Sequence, residues 1–179
     1  MFWAPQFRKV WQPVVWPAAL ALLLAACARS GSAESAAPRK TVADWFAIKV
    51  GDRTVQMQLA VYEAEMQYGL MQRRDLGRDQ GMLFVYPAPT PMSFWMRDTP
   101  LPLDIGFFSP DGTLKEIYPM YPFDETTIRS RSADLQFALE MNQGWYRDNG
   151  ITPGARLDLA AVREALKARG AAPADFGLH

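Results

Sequence analysis

Apolar and polar positions alternate in short runs along most of this chain, and the run lengths predict strands more often than helices. In "FAIKVGDRTVQMQLA" two β-like runs flank Gly51-Asp52, the composition of a tight hairpin. Val55, Met57 and Leu59 alternate with Gln56 and Gln58, which turns one face of the second run towards a core. "VYEAEMQYGLMQR" changes period. Val61, Ala64, Tyr68 and Met71 recur close to every 3.6 residues, predicting a short helix that stops at Gly69 and sends Leu70-Met71 inward.

Further on, "GMLFVY" is a continuous apolar run suited to a buried strand, and "PAPTPM", with three prolines in six residues, is expected to be an exposed connector. "SFWM" and "LDIGFF" read as two adjacent core strands around a polar corner, Arg97 to Pro102. Parity places Leu103, Ile105 and Phe107 on one face and Asp104, Gly106 and Phe108 on the other. Asp111-Gly112 marks a hairpin turn before "TLKEIYPMYP". "DLQFALEMNQGW" alternates again, and "PGARLDL" is expected to be a last short strand. "AAVREALKARG" is an amphipathic helix ended by Gly170. Ala161, Val162, Ala165 and Leu166 face inward, and Arg163, Glu164, Lys167 and Arg169 face solvent. About seven short strands with one internal and one terminal helix make the fold class α+β, with a mostly antiparallel, curled or barrel-like sheet.

The first 27 residues do not fit that pattern. Arg8 and Lys9 precede an apolar stretch from Val14 to Ala26, too short to span a bilayer comfortably and suited to an export signal. It ends in Leu24-Ala25-Ala26-Cys27, which resembles a bacterial lipobox and implies lipidation of Cys27, the sole cysteine. Several acyl chains make a stable anchor where one does not. Residues 28–44 are small and polar and read as a tether, 45–159 as a single globular domain, and 160–179 as a C-terminal helix and tail. The expected location is the cell envelope, facing the periplasm. The absence of Asp after Cys27 favours the outer membrane by analogy with other lipoproteins.

Charge and composition narrow the chemistry. Lys plus Arg equals Asp plus Glu at 19 each, and no basic run provides the footprint that nucleic acid needs. The only histidine is His179, the final residue, so histidine-based catalytic dyads and triads and Cys/His zinc sites are out of reach of the body. No cofactor and no such metal centre is implied. Carboxylates remain the one familiar acid/base route.

Asp104 interrupts an apolar strand and needs a partner, for which Arg73 and Arg97 are the expected ones. Glu140 lies mid-strand in "FALEMN", and on a neighbouring strand it would form with Asp104 the paired carboxylates of a glycosidase. Trp95 adjoins the polar corner, and Thr99 is held extended by Pro100, so Trp95, Arg97 and Thr99 are candidate pocket residues together with Arg73 and Asp104. Met71, Met82, Met92 and Met96 are either core or soft ligands for Cu(I).

Taken together, "YGLMQRRDL", "GMLFVY", "SFWMRDTPLPLDIGFFSPDG", "FALEMNQGW" and "GITPGARL" resemble, in order, the blocks of the domain of unknown function 192 family. The resemblance covers residues 46–159 and implies a compact α+β domain with a small barrel-like sheet and no assigned activity. Tyr68 stands where many members carry Arg, whereas Arg73 keeps its place. The expected function is a lipid-anchored envelope binding or accessory protein, attached to the membrane, with a small-molecule or glycan ligand or an envelope protein partner. The alternatives are a carboxylate-dependent hydrolase acting on cell-wall or other glycans through Asp104 and Glu140, and a methionine-lined copper-binding protein.

Overall fold

The protein's structure, a computed structural model, describes residues 38–179; the expected signal segment, Cys27 and most of the expected tether lie outside the described residues. The hairpin predicted at Gly51-Asp52 joins β1 (Phe46–Val50) to β2 (Arg53–Ala60), and the helix expected before Gly69 is α1 (Glu63–Tyr68). Next come β3 (Gln80–Thr90), β4 (Ser93–Phe94), β5 (Leu103–Phe108), β6 (Leu114–Met120), β7 (Ile128–Arg129) and β8 (Leu135–Asn142). A single helical turn, α2 (Trp145–Asp148), and the longer α3 (Leu159–Arg169) precede a 3-10 turn at Pro173–Phe176.

Six strands form one sheet in the order β1-β2-β3-β8-β5-β6, antiparallel throughout except where α1 carries the chain across from β2 to a parallel β3. The sheet curls without closing its ladder. One segment, Ala155–Asp158, reaches both edges. On the β1 side Gly51 N–H donates to Arg156 O and Asp158 N–H to Lys49 O; on the β6 side Leu114 N–H donates to Ala155 O. This is the segment expected to be a last strand, and it makes only isolated bridges, because a stretch shared between two separate edges cannot build a ladder with either. The α+β class and the curled, mostly antiparallel sheet are as the pattern predicts.

Both faces of the sheet are buried at its centre, where β5 and β8 are buried at nearly every position. On one face Val55, Leu59, Leu83, Phe137 and Leu139 pack under Val162 and Leu166 of α3. On the other, Met82, Phe84, Ile105 and Phe107 pack with Leu70, Phe94 and Met96. The predicted parity of β5 holds: Leu103, Ile105 and Phe107 join the second cluster and Phe108 the first. Gly106 is required on the first face, since an added Cβ would stand 2.5 Å from the Tyr146 hydroxyl that crosses β5 there.

Several local expectations are corrected. β3 runs on through Pro87-Ala88-Pro89 to Thr90, although prolines donate no ladder bond, because its register with β8 breaks between Val85 and Thr90. "SFWM" supplies only the two-residue β4, which pairs with β7 in a separate small sheet rather than beside β5. Arg169 is not on the solvent face of α3 but 2% exposed. Its position continues the Val162-Ala165-Leu166 stripe at helical spacing, and its charge is met by Glu65 and Leu59 O. The end of the expected tether is also folded: Lys40 N–H donates to Ala168 O at 2.9 Å, and Val42 packs on the second cluster. At the other end Phe176 and Leu178 are buried in the first cluster.

Candidate functional site

The chain leaves α1 through Gly69, at φ 50°, and lays Leu70-Met71 across the second face of the sheet. Gln72, also at positive φ (60°), donates its N–H to Asp98 O at 2.7 Å, which fastens this crossing segment to the Arg97–Thr99 corner. Beneath the crossing lies a row of directly opposed residues: Gln58 on β2, Met82 on β3, Glu140 on β8 and Ile105 on β5. Two hollows open on either side of the crossing segment, and Tyr68, Gly69, Leu70 and Met71 wall both.

The narrower hollow is a slot of about 30 Å3, room for one water-sized group. Glu140 lies inside it, 5% exposed, with Thr99 on its lining and the exposed rings of Tyr68 and Trp95 at its rim. The Glu140 carboxyl makes no hydrogen bond to any described residue, and burial alone pushes its pKa up to about 8. At neutral pH it is therefore mainly a neutral acid, able to donate one hydrogen bond and accept another. Burial, with Glu140 nearby, also raises the Tyr86 phenol. Thr99 is itself buried and its hydroxyl donates to Arg97 O at 3.0 Å.

The other hollow is a groove of about 440 Å3 reached by Gln58, Glu65 and Arg73 among mostly apolar walls. Of the predicted site residues, the structure thus brings Trp95 and Thr99 to Glu140 and places Arg73 across the crossing segment. Arg97 stacks on Trp95, its guanidinium carbon 4.0 Å from the ring centroid, and pairs with Glu125 at 3.4 Å on the exposed surface.

Asp104 does not belong to this site. It is paired in register with Met141, so it faces the first cluster, whereas Glu140 is paired with Ile105 and faces the second. The paired-carboxylate arrangement expected from neighbouring strands is not formed, because residues one apart along a strand point to opposite faces. Neither Arg73 nor Arg97 is the partner of Asp104. Its Oδ2 accepts the Gly144 N–H at 2.7 Å; burial raises its pKa, while the Gly144 bond and the nearby Arg147 pull the other way.

Of the methionines, Met82, Met92 and Met96 are buried in the second core cluster, and Met71 walls both hollows. Sequence reasoning missed Gln58, whose alternation with Met57 and Leu59 places it off the first core face but cannot tell that the crossing segment covers the second. It also missed Arg169, whose helical spacing was the available signal.

A curled, six-stranded sheet with one parallel pair, in an α+β domain whose buried Glu140 carboxyl has no hydrogen-bond partner among the described residues, defines the class of domain. The chain belongs to the domain of unknown function 192 family, described as an uncharacterized ACR, whose profile matches residues 46–159. It is similar to a solved protein from Novosphingobium aromaticivorans of unknown function, at 33% identity and a TM-score of 0.62, over 69% of this chain and 94% of that one. A Sinorhizobium meliloti protein, described as a candidate transcription regulator, is similar at 34% identity and a TM-score of 0.61, over 63% of this chain and 92% of that one. No curated protein matches the chain.

Proposed function

We propose that this protein is a lipid-anchored cell-envelope binding or accessory module, held at the membrane through Cys27 and facing the periplasm, whose ligand presents a neutral polar group to Glu140. The observation that carries the reading is the Glu140 slot. A buried carboxyl normally finds a partner, because burying a polar group unpaired costs about 1–3 kcal/mol. Here the partner position is open to a hollow rimmed by Tyr68 and Trp95. A protonated acid beneath aromatic rings suits a hydroxyl- or carbonyl-bearing small molecule such as a glycan fragment, whose apolar face lies on the rings.

Binding is favoured over hydrolysis because Glu140 is the one carboxylate lining the slot among the described residues, and Asp104 faces the other side of the sheet. The transcription-regulator description of the Sinorhizobium protein finds no support in this chain's balanced charge. No helix among the described residues is long and apolar enough to cross a membrane. Attachment therefore rests on the lipobox-like segment.

Two measurements test the proposal. Radiolabelled palmitate should enter the wild-type protein and not Cys27→Ser, and membrane fractionation should follow the label; an unlabelled wild type ends the anchoring part. Full-length protein in nanodiscs, titrated with N-acetylglucosamine oligomers, should show saturable binding that Glu140→Leu abolishes. Binding indifferent to that substitution removes the slot from the reading, and no binding removes the glycan.

A further inference from the structure

The groove on the other side of the crossing segment is used by neither the slot nor the fold. Its volume, about 440 Å3, falls within the range of small-molecule sites, roughly 300–1,000 Å3. Val42, Leu70, Met71 and Met82 give it apolar walls. Three polar side chains reach it, and they are in different states.

Glu65 is fully engaged. One of its carboxylate oxygens accepts the N–H groups of Val61 and Tyr62 at 3.0 and 3.2 Å, and the other meets the buried guanidinium of Arg169. Its charge is compensated within the fold. Gln58 is not engaged: it is 5% exposed, lines the groove, and its side-chain amide makes no hydrogen bond to any described residue. Arg73, half-buried beside it in the lining, lies over the Trp45 ring at 5.4 Å and forms no ion pair among the described residues. Among the described residues, a cation without an ion pair, an amide without a hydrogen-bond partner and apolar walls converge on one hollow. They are complementary to a ligand with an apolar body and a singly charged anionic head. A phosphate dianion would call for more than one cation, and the groove offers one.

We propose that this groove binds a small amphipathic carboxylate, such as a medium-chain fatty acid, with its head against Arg73, a carboxylate oxygen within reach of the Gln58 amide, and its chain along Leu70, Met71 and Met82. A carboxylate accepts the planar fork of the guanidinium, and its remaining lone pairs accept from the amide NH2 of Gln58, which makes no hydrogen bond to any described residue. Stacking on Trp45 restricts the Arg73 side chain, so less freedom is lost when the pair forms. The inference stands apart from the Glu140 slot, which takes a neutral group on the far side of the crossing segment.

Octanoate is the probe, because it partitions weakly into bilayers, and the readout is the methyl spectrum of the full-length protein in nanodiscs with labelled methionines. Octanoate should shift the Met71 and Met82 methyl signals saturably. Arg73→Gln should weaken octanoate by about tenfold or more while leaving octanol, the same chain without the charge, unchanged. Arg73→Lys, which keeps the charge but not the fork, should fall between, and unmoved Met92 and Met96 signals show that the variants are folded. The proposal is overturned by any of three results: no saturable shift, an octanoate affinity indifferent to Arg73→Gln, or octanol binding as tightly as octanoate. Glu140→Gln serves as the control for location. Octanoate binding unaffected by it supports the groove, and binding lost with it puts the ligand in the slot and ends the proposal, leaving the reading of the slot to its own test.

Discussion

Asp104 and Glu140 lie on adjacent strands, one register position apart, and face opposite sides of the same sheet. Asp104 looks towards the first core cluster and closes onto the Gly144 N–H; Glu140 looks towards the second and meets a hollow. Two acids that are neighbours in the ladder therefore have unrelated environments and unrelated roles.

Glu140 makes stability depend on pH in a definite direction. Its folded pKa of about 8 lies above the ordinary 4.5, so the folded state holds this proton more tightly than the unfolded chain. The stability it contributes is complete below about pH 4.5 and is lost as pH rises through about 8. The loss should be on the order of a few kcal/mol across that window. Glu140→Gln, which cannot ionise, should flatten this part of the profile and be more stable than wild type at pH 9, measured by urea unfolding from pH 5 to 9.

Asp104 should behave as a backbone anchor. Asp104→Ala leaves the buried Gly144 N–H without its acceptor and should cost about 1–3 kcal/mol. Asp104→Asn keeps an oxygen in place and should cost less than half as much in the same urea titration. Equal losses would mean that the charge matters and the hydrogen bond does not.

The buried pair of Arg169 and Glu65 ties the end of α3 to the start of α1, with Arg169 also donating to Leu59 O. Arg169→Leu should destabilise by about 3–5 kcal/mol, because a partly buried carboxylate loses its counter-charge. Combining it with Glu65→Gln, which still accepts the N–H groups of Val61 and Tyr62, should recover part of that loss. A double-mutant cycle with no coupling between the two positions would contradict the pairing.

Phe123 is an exposed aromatic residue at φ 61°, a conformation costly for a bulky side chain. It lines a surface hollow with Gln72 and Asp98, the other non-glycine residues at positive φ among the described residues. Asn tolerates the left-handed region, and little packing is lost from a ring 63% exposed. Phe123→Asn should therefore stabilise by about 0.5–1 kcal/mol. A rise in thermal midpoint checks it; a fall would show that the ring is held by contacts outweighing the backbone cost.

Local pattern by itself determined the α+β class, the Gly51-Asp52 hairpin, the end of α1 at Gly69, the two-faced parity of β5 and the span of α3. Each depends on residues within a turn or two of one another, where period, proline and glycine act directly. It also singled out Glu140, because a lone acid in an apolar strand is legible without knowing its neighbours. What only the tertiary structure decided is which elements meet. The β4–β7 pairing, the stitching of both sheet edges by Ala155–Asp158, the burial of Arg169 and the covering of Gln58 all join positions far apart in the chain. Alternation says that two residues share a face; it does not say what lies over that face. Gln56 and Gln58 look alike in the sequence, yet Gln56 is exposed and Gln58 is buried, because the segment leaving α1 crosses over one of them.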